Sequence, residues 1–273
     1  GARELAHITG GTLTGDENLN VTGVMTDSRS PGAGPDMLFI ALRGPNHDGH
    51  KFIEPLYARG VRLFLIDSLP SGHGEMAGAA FIKVRDTLDA LQEMAKWRRE
   101  SFRGRVIAVT GSAGKTIVKE WLAGVMSTSR SVIRSPKSYN SQVGVALSLL
   151  NLDDSYEIAV IEAGISRPGE MERLARIIMP DVVIITNVGD AHGENFSGRE
   201  AIAAEKLRLA SGAQLLICNA DERIIRKEMA TEHPEVPLFT WSLAGNDASL
   251  AVEVADTVDN GRLLRCTSAV ESF

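Results

Sequence analysis

The sequence VIAVTGSAGKT at residues 106–116 decides the fold class of this chain. It begins with an apolar run typical of a buried strand and continues into a glycine-containing turn. A helical pattern follows, from Lys115 to Met126. At such a strand–turn–helix junction, backbone N–H groups and the helix dipole converge on an anion. We therefore predict a phosphate-binding loop. Its residues are Gly111, Ser112, Ala113, Gly114, Lys115 and Thr116.

Two side chains of this loop suit a nucleotide. Lys115 can reach the terminal phosphates, and the hydroxyl of Thr116 can bind magnesium. The loop departs from the general pattern G-x-x-x-x-G-K-[ST], because Val109 stands where that pattern has glycine. The alternative is an ordinary strand-to-helix turn with an incidental lysine. A strand and a helix on the correct sides favour nucleotide binding.

The same order of strand, turn and helix repeats after the loop. Apolar runs at residues 158–161, 182–186 and 215–218 each precede a helical pattern, and these patterns predict helices that begin at Pro168, Arg199 and Asp221. Continuous apolar strands between helices are typical of a parallel sheet that is covered on both faces. We predict an α/β fold with a P-loop NTPase-like, mainly parallel sheet. A hairpin around Asp259, Asn260 and Gly261 is predicted near its end.

The region before the loop reads as a smaller α/β domain. Its short β-type runs at residues 37–42, 61–66 and 81–84 alternate with helical patterns. The full length of 273 residues corresponds to about two domains. We place the boundary after Arg103, which predicts an N-terminal domain at residues 1–103 and a central domain at residues 104–273.

Composition narrows the class of protein. The chain is 44% hydrophobic and 23% charged, which excludes a disordered, collagen-like or coiled-coil protein. Its net charge of −6 argues against nonspecific nucleic-acid binding, but allows a local basic pocket for a phosphorylated ligand. Only Cys218 and Cys266 occur, so we expect a reducing compartment. With no apolar signal core and no run as long as the ~20 apolar residues that span a bilayer, we predict a cytoplasmic protein without membrane insertion.

Polar residues follow the later strands of the predicted sheet. Glu162 ends one strand and His192 follows the next, so both are expected at the edge that borders the ligand crevice. A carboxylate there can hold the metal that bridges nucleotide phosphates, although a solvated acid is the alternative. A lone histidine is usually structural.

The loop T-G-S-x-G-K-T resembles that of the Mur ligases, which build the peptide of the bacterial cell wall. Members of this family pair a histidine with a lysine at the interval of fourteen residues that separates His192 from Lys206. In the family this lysine is carbamylated by carbon dioxide. A carbamate is an anionic oxygen ligand for magnesium, whereas a bare ammonium group is repelled by it. The alternative for Lys206 is an ordinary exposed lysine.

The resemblance implies ATP as the nucleotide and two magnesium ions. Thr116 and Glu162 would hold one ion, and His192 with carbamylated Lys206 would hold the other. Lys115, His192 and Lys206 would be the catalytic residues. Asn219 in the stretch NADE at residues 219–222 is similar to the asparagine that lies at the adenine, although a helix N-cap is the alternative.

Two further segments bear on the substrate. TDSR at residues 26–29 and DGHKFI at residues 48–53 resemble the Mur N-terminal domain, which holds the uridine diphosphate end of the substrate. The resemblance implies contacts from Ser28, Arg29, Asp48 and His50. Ordinary turns and caps are the alternative.

SYNSQVGV at residues 138–145 is similar to a stretch of the MurF-type members and adds Asn140 to the substrate-binding residues, although Ala146 replaces a proline. MurF-type ligases join UDP-N-acetylmuramoyl-tripeptide to D-alanyl-D-alanine through an acyl phosphate. The alternatives are a MurE-type ligase, a folylpolyglutamate-synthase-like ligase and a P-loop NTPase switch. Segments at residues 116–122, 139–142 and 163–171 resemble MurF-type enzymes fused to an alanine racemase, which would lie beyond Phe273. The family has a third, C-terminal domain that we expect to be absent from these residues, so we expect the chain alone to bind ligands with little or no ligation.

Overall fold

The computed structural model describes residues 1–189, 193–232, 235–245, 248–258 and 261–268. The chain divides into two compact units, Gly1–Arg98 and Arg99–Phe273. This division lies within a helix and a few residues before Arg103, where the sequence places the domain boundary. Each unit is described by itself.

The first unit is a small α/β structure around a five-stranded sheet. The strand order is β1-β7-β6-β3-β2, and β1 is antiparallel to β7 while the other neighbours are parallel. In chain order its elements are α1 (Ala2–Thr9), β1 (Thr12–Gly15), β2 (Gly23–Met25), β3 (Met37–Ile40), β4 (Arg43–Gly44), β5 (His47–Asp48), α2 (Ile53–Ala58), β6 (Leu63–Ile66), β7 (Ala80–Lys83) and α3 (Thr87–Ser101). The short strands β4 and β5 pair with each other.

Three phenylalanines define the core of this unit. Phe39, Phe64 and Phe81 are register partners on the adjacent strands β3, β6 and β7, so their side chains lie on one face of the sheet. All three are buried, and the rings of Phe64 and Phe81 stack with centroids 5.4 Å apart. This row of aromatic rings holds the central strands of the sheet in register.

The second unit contains an eight-stranded sheet. The strand order is β15-β14-β13-β12-β11-β8-β10-β9, and only the pair β14–β15 is antiparallel. In chain order its elements are β8 (Arg105–Thr110), α4 (Lys115–Met126), β9 (Val132–Arg134), α5 (Gln142–Leu149), β10 (Ile158–Glu162), α6 (Glu170–Ile178), β11 (Val182–Ile185), α7 (Arg199–Leu207), β12 (Leu215–Asn219), α8 (Arg223–Glu232), β13 (Leu238–Ser242), β14 (Leu250–Val258) and β15 (Gly261–Ser268).

The strand β8 lies inside this sheet, between β11 and β10. Every residue from Val106 to Thr110 is buried. Because successive side chains of a strand point to opposite faces, both faces of the sheet are covered here. The predicted α/β fold with a mainly parallel sheet is confirmed. Among the described residues, no helix has the length and apolar character needed to cross a bilayer.

Helix starts differ from the sequence prediction at two places. The helix expected from Pro168 begins at Glu170, after Gly169 adopts a left-handed conformation with φ 83°. The helix expected from Asp221 begins at Arg223, because the Asp221 carboxylate instead accepts hydrogen bonds from Ser242 Oγ and from the N–H of Leu243. The terminal hairpin is present as β14 and β15, while Asp259 and Asn260 lie outside the described residues.

Candidate active site at the phosphate-binding loop

Two glycines shape the loop between β8 and α4. Gly111 has φ 145°, and a Cβ atom on it would lie 1.9 Å from Oγ1 of Thr186. Gly114 has φ 77° and forms the N-cap of α4. Left-handed backbone of this kind favours glycine, and the missing Cβ of Gly111 lets the loop lie directly against the segment after β11.

The segment after β11 holds the loop in place. Ser112 Oγ donates to the carbonyl of Gly189 at 3.0 Å and accepts from its N–H at 2.8 Å. Oδ1 of Asn187 accepts from the N–H of Ala113 at 2.9 Å, and Thr186 Oγ1 donates to the Ala113 carbonyl at 2.6 Å. The side chain of Ser112 and the N–H of Ala113 are thus used to build the loop.

The first turn of α4 supplies the anion-binding groups. Helix N-termini leave their first N–H groups without intrahelical partners, and here these include Lys115 and Thr116. The ammonium group of Lys115 donates to the Gly111 carbonyl at 2.8 Å, so it lies across the loop. Burial lowers the pKa of Lys115, and the nearby charge of Glu162 opposes this shift. The loop can therefore hold a phosphate through backbone N–H groups and one cation.

Glu162 lies beside the start of α4, at the carboxyl end of β10. Its side chain is 1% exposed. Oε2 accepts a hydrogen bond from Thr116 Oγ1 at 2.9 Å, and Oε1 accepts one from Nδ2 of Asn140 at 2.7 Å. The alternative of a solvated acid is therefore wrong. The structure brings together three predicted site residues whose oxygen atoms are of the kind that bind Mg²⁺.

Asn140 is fixed by the chain that follows β10. Its carbonyl accepts from the N–H of Gly164 at 2.8 Å. A Cβ atom at position 164 would lie 3.0 Å from Cγ of Asn140, so glycine leaves room for the amide. Asn140 is thus bonded through its backbone to Gly164 and through its side chain to Glu162.

Sequence reasoning missed Lys119, which lies one helical turn after Thr116. Lys119 is fully buried, and its ammonium group is 3.7 Å from Oε2 of Glu162 and 3.1 Å from Oε1 of Glu120. The spacing along the sequence could have indicated its burial. Lys119 lies four residues before the apolar Ala123, so the two share one face of α4, and that face is buried. A lysine at such a position needs an anionic or carbonyl partner.

Lys206 lies on α7 and is 3% exposed. It is therefore not an ordinary exposed helix lysine. Burial and, to a lesser degree, the charge of Lys115 lower its pKa to about 8, and the charge of the neighbouring Glu205 opposes this shift. Oε1 of Glu205 accepts from the N–H of Met171 at 2.9 Å, which ties α7 to α6.

Lys206 and the phosphate-binding loop line one cleft of about 220 Å³. The cleft is lined by Gly111, Ser112, Lys115, Asn140, Ser141, Gln142, Val143, Gly164, Ile165, Ser166, Glu170 and Lys206. Two cations thus border one cavity, which suits a ligand with more than one anionic group.

The predicted site residues His192 and Asn219 are not among the residues that line this cleft in the described part of the chain. His192 lies outside the described residues. Asn219 ends β12, the second strand from β8, and its Oδ1 accepts from the N–H of Asp221 at 2.9 Å in an Asx turn. Because α8 begins at Arg223, Asn219 is not the N-cap of that helix.

In the first unit, His50 is bound on both sides of its ring. Nδ1 lies 2.9 Å from Oδ1 of Asp48, and Nε2 accepts from the N–H of Asp67 at 3.2 Å. This pairing assigns the ring hydrogen to Nδ1. The backbone hydrogen bond from His50 lowers the pKa of Asp48, and Arg43 bonds to Asp67 at 2.7 Å. Both predicted residues thus belong to one hydrogen-bonded cluster.

Arg29 and Ser28 lie in an exposed turn of the same unit. The Arg29 guanidinium makes two hydrogen bonds to the Asp27 carboxylate, at 2.9 and 2.8 Å, and lowers the pKa of Asp27 to about 2. The side chain of Arg29 is 88% exposed, while the carbonyl of Ser28 accepts from Arg59. The charge of Arg29 is therefore partly offset but remains at the surface.

Comparison with known proteins decides the family. Residues 109–270, more than half of the chain, match the Mur ligase middle domain. The chain belongs to the Mur ligase family. Residues 20–99 match a second Mur ligase family domain, described as the catalytic domain. The resemblance of the loop and of the N-terminal segments to Mur ligases is confirmed.

A curated Mur ligase relative is the UDP-N-acetylmuramoyl-tripeptide–D-alanyl-D-alanine ligase of Bacillus subtilis (strain 168). It is 36% identical over 233 residues, which cover 82% of this chain and 49% of the relative. The chain thus spans about half the length of the curated relatives it matches.

Solved Mur ligase structures share the fold. MurF from Acinetobacter baumannii superposes with a TM-score of 0.89 at 25% identity, covering 100% of this chain and 59% of that chain. The MurF ligase from Thermotoga maritima in complex with ADP gives a TM-score of 0.80 at 26% identity, covering 92% and 56%.

Proposed function

We propose that this chain is the UDP-substrate and nucleotide-binding part of a MurF-type ligase. The complete enzyme would join UDP-N-acetylmuramoyl-tripeptide to D-alanyl-D-alanine and hydrolyse ATP to ADP and phosphate. The names of the curated relatives support the reaction, and the ADP complex of the Thermotoga maritima enzyme supports the nucleotide. The observation that carries the proposal is the buried Lys206 in the same cleft as Lys115.

The described residues fit ATP and magnesium. The absence of a Cβ at Gly111 lets the loop pack against Thr186, and the first turn of α4 offers N–H groups to phosphate. The hydroxyl of Thr116 and the carboxylate of Glu162 form a hard oxygen donor set at the same place. Magnesium bound there would neutralise charge on the phosphates.

The main chemical task is to bring two anions together. The peptide carboxylate attacks the γ-phosphorus of ATP, a carboxyl oxygen–phosphorus bond forms, and ADP leaves. The amine of the dipeptide then attacks the carboxyl carbon and displaces phosphate, losing a proton as the amide forms. In the first step Lys115 stabilises negative charge on the transferring phosphoryl group, the kind of electrostatic stabilisation on which phosphoryl transfer depends.

Lys206 would hold the acceptor side of the site as a carbamate. Carbamylation requires the neutral amine, and a pKa near 8 makes that form accessible close to neutral pH. The amine would attack carbon dioxide and lose a proton, and the resulting N-carboxylate would be an anionic oxygen ligand for a second magnesium ion, with His192 as the other proposed ligand. The assignment of His192 rests on its spacing from Lys206.

Further residues are proposed to contact the adenine and the UDP substrate. Asn219 would lie at the adenine, and Asn140 would act at the substrate cleft. Ser28, Arg29, Asp48 and His50 would face the uridine diphosphate end of the substrate, for which an exposed arginine is suited. We place the reaction in the cytoplasm.

The alternatives differ in their ligands. A folylpolyglutamate-synthase-like ligase would be stabilised by folate, and a P-loop switch by nucleotide alone. A MurE-type enzyme would not favour the tripeptide substrate, because it adds an amino acid to a shorter peptide. A thermal-shift screen separates these outcomes. We expect stabilisation by Mg²⁺-ATP and by UDP-N-acetylmuramoyl-tripeptide, and stabilisation by folate instead of the sugar nucleotide would overturn the proposal.

A second measurement tests the ligase reaction itself. Because the chain spans about half of its relatives, we expect ligand binding but little amide synthesis from these 273 residues alone. Robust amide synthesis by this chain would contradict that expectation. An alanine racemase domain beyond Phe273 stays a prediction, and sequencing the gene downstream of this segment tests it.

A further inference from the structure

The ammonium group of Lys119 lies beside the carboxylate of Glu162, in the interior of the unit. No part of the Lys119 side chain is exposed, and its Nζ is 3.7 Å from Oε2 of Glu162, which is itself 1% exposed. Burying a cation is costly unless it is paired and hydrogen-bonded. Here the cost is offset by a buried anion that is a proposed magnesium ligand. The pair is therefore part of the site's architecture, although Lys119 does not line the cleft.

The same ammonium group holds the segment that follows β9. Nζ of Lys119 donates to the carbonyl of Ser135 at 2.8 Å and to the carbonyl of Lys137. Lys137 has φ 48°, a left-handed conformation that is unfavourable for a residue with a Cβ atom. The hydrogen bond from Lys119 to the Lys137 carbonyl helps to hold this conformation, from which the chain continues to Ser138.

Those next residues enter the site. Oγ of Ser138 lies 3.3 Å from Oγ1 of Thr116, and Nδ2 of Asn140 donates to Oε1 of Glu162 at 2.7 Å. Ser135 also contributes, because its Oγ accepts from the N–H of Glu162 at 3.0 Å. One buried lysine thus bonds the carbonyls of Ser135 and Lys137 and also pairs with the Glu162 carboxylate.

We propose that Lys119 is a positioning residue that fixes Glu162 and the segment at residues 135–140 for the binding of magnesium with the nucleotide. The proposal rests on the proposed function, since it needs a site for Mg²⁺-ATP. Lys119 acts through Glu162 and Asn140 and touches no substrate. Its loss is expected to affect the metal-dependent part of nucleotide binding more than the part due to the loop.

The test compares the wild-type chain with Lys119→Met, which keeps most of the length of the side chain without its charge. Affinity for a fluorescent ATP analogue is measured with Mg²⁺ and with EDTA. The Mg²⁺-dependent gain is the ratio of the affinity in Mg²⁺ to the affinity in EDTA. We expect this gain to fall roughly 10- to 100-fold in Lys119→Met, as is typical when a group that orients a metal ligand is removed. Affinity in EDTA is expected to stay at the wild-type value.

Glu120→Gln is the matched control. It removes the other carboxylate that pairs with Lys119, at 3.1 Å, but leaves Glu162 in place. This variant is expected to keep the wild-type gain. The double variant Lys119→Met/Glu162→Gln is expected to lose no more of the gain than Glu162→Gln alone, because the two residues act as one unit.

The outcomes separate the two proposals. If wild-type chain shows no Mg²⁺-dependent gain, the proposed function and this inference both fail. If wild type shows the gain and Lys119→Met keeps it, the inference alone fails. Thermal unfolding checks that Lys119→Met is folded. Should it not be, Lys119→Gln retains a hydrogen-bond donor without charge, and an unchanged gain in that variant likewise overturns the inference.

Discussion

The hydroxyl of Thr116 donates a 2.9 Å hydrogen bond to the carboxylate of Glu162, although the two residues are 46 positions apart in the chain. One residue lies in the first turn of α4 and the other ends β10. Their pairing brings a hydroxyl and a carboxylate to the point where a nucleotide's phosphates would meet the loop. It is the geometric core of the proposed magnesium site.

Removing this hydroxyl is expected to weaken metal-dependent nucleotide binding. Thr116→Ala deletes one oxygen donor beside a charged group, which is worth about 1.5–3 kcal/mol, or roughly 10- to 100-fold in affinity. Thr116→Ser keeps the hydroxyl and is the control. Isothermal titration with ATP in Mg²⁺ measures the difference, and equal affinities for the two variants would count against the assignment of Thr116.

Gly111→Ala is expected to destabilise the chain and to abolish nucleotide binding. The new Cβ would meet Thr186 Oγ1, and its backbone conformation alone costs about 1–3 kcal/mol. Gly124→Ala is the matched control in α4, where a Cβ meets nothing within 4 Å, and it is expected to stabilise by about 0.5–1 kcal/mol. Urea denaturation measures both, and a harmless Gly111→Ala would refute the described loop geometry.

Carbamylation of Lys206 is expected to rise with pH around its pKa of about 8. The reaction consumes the neutral amine, whose fraction grows as pH passes upward through this value, whereas ordinary lysines titrate near ~10.4. ¹³C NMR at fixed dissolved ¹³CO₂, from about pH 7 to 9, measures the carbamate signal. The signal is expected in wild type and absent in Lys206→Met. A signal that survives the substitution would assign the carbamate elsewhere.

The two cysteines are expected to differ in reactivity. Cys218 is buried at the end of β12, and burial raises its pKa to about 11, so little thiolate forms at neutral pH. Cys266 on β15 is partly exposed. Iodoacetamide labelling followed by mass spectrometry is expected to modify Cys266 in the folded chain and Cys218 only in denaturant. Early labelling of Cys218 would show that β12 is not packed as described.

His50→Ala is expected to lower the free energy of unfolding by about 1–3 kcal/mol, because the Asp67 N–H and the Asp48 carboxylate lose their shared partner. His47→Ala removes an exposed ring that stacks on Phe52 and is the control with a smaller effect. Denaturation with and without the UDP substrate separates stability from binding. An unchanged stability for His50→Ala would mean that the ring is not part of this cluster.

The fold was largely predictable from local patterns. The apolar run before Gly111 and the periodicity after Lys115 predicted β8 and α4, and the helix ends at Met126 as expected. The start of α8 was not predictable, because the carboxylate of Asp221 bonds to Ser242 and Leu243, a tertiary contact that local capping rules do not contain.

The site was predictable in part. Strand ends placed Glu162 at the correct edge, because parallel strands share that edge. The support of the loop by Asn187 and Gly189, and the buried position of Lys119, depend on which strands are neighbours. The order of strands in a sheet is a property of the assembled core, and no short stretch of sequence contains it.

The bond between Ser112 and Gly189 joins positions 77 residues apart, and it exists only when β8 and β11 are neighbours. Closing such long stretches of chain is slow, since much of the entropy is lost before the contacts form. During refolding, helical circular dichroism is therefore expected to recover before nucleotide affinity does. We therefore expect the proposed nucleotide binding to report on the pairing of β8 with β11, and to return late in refolding.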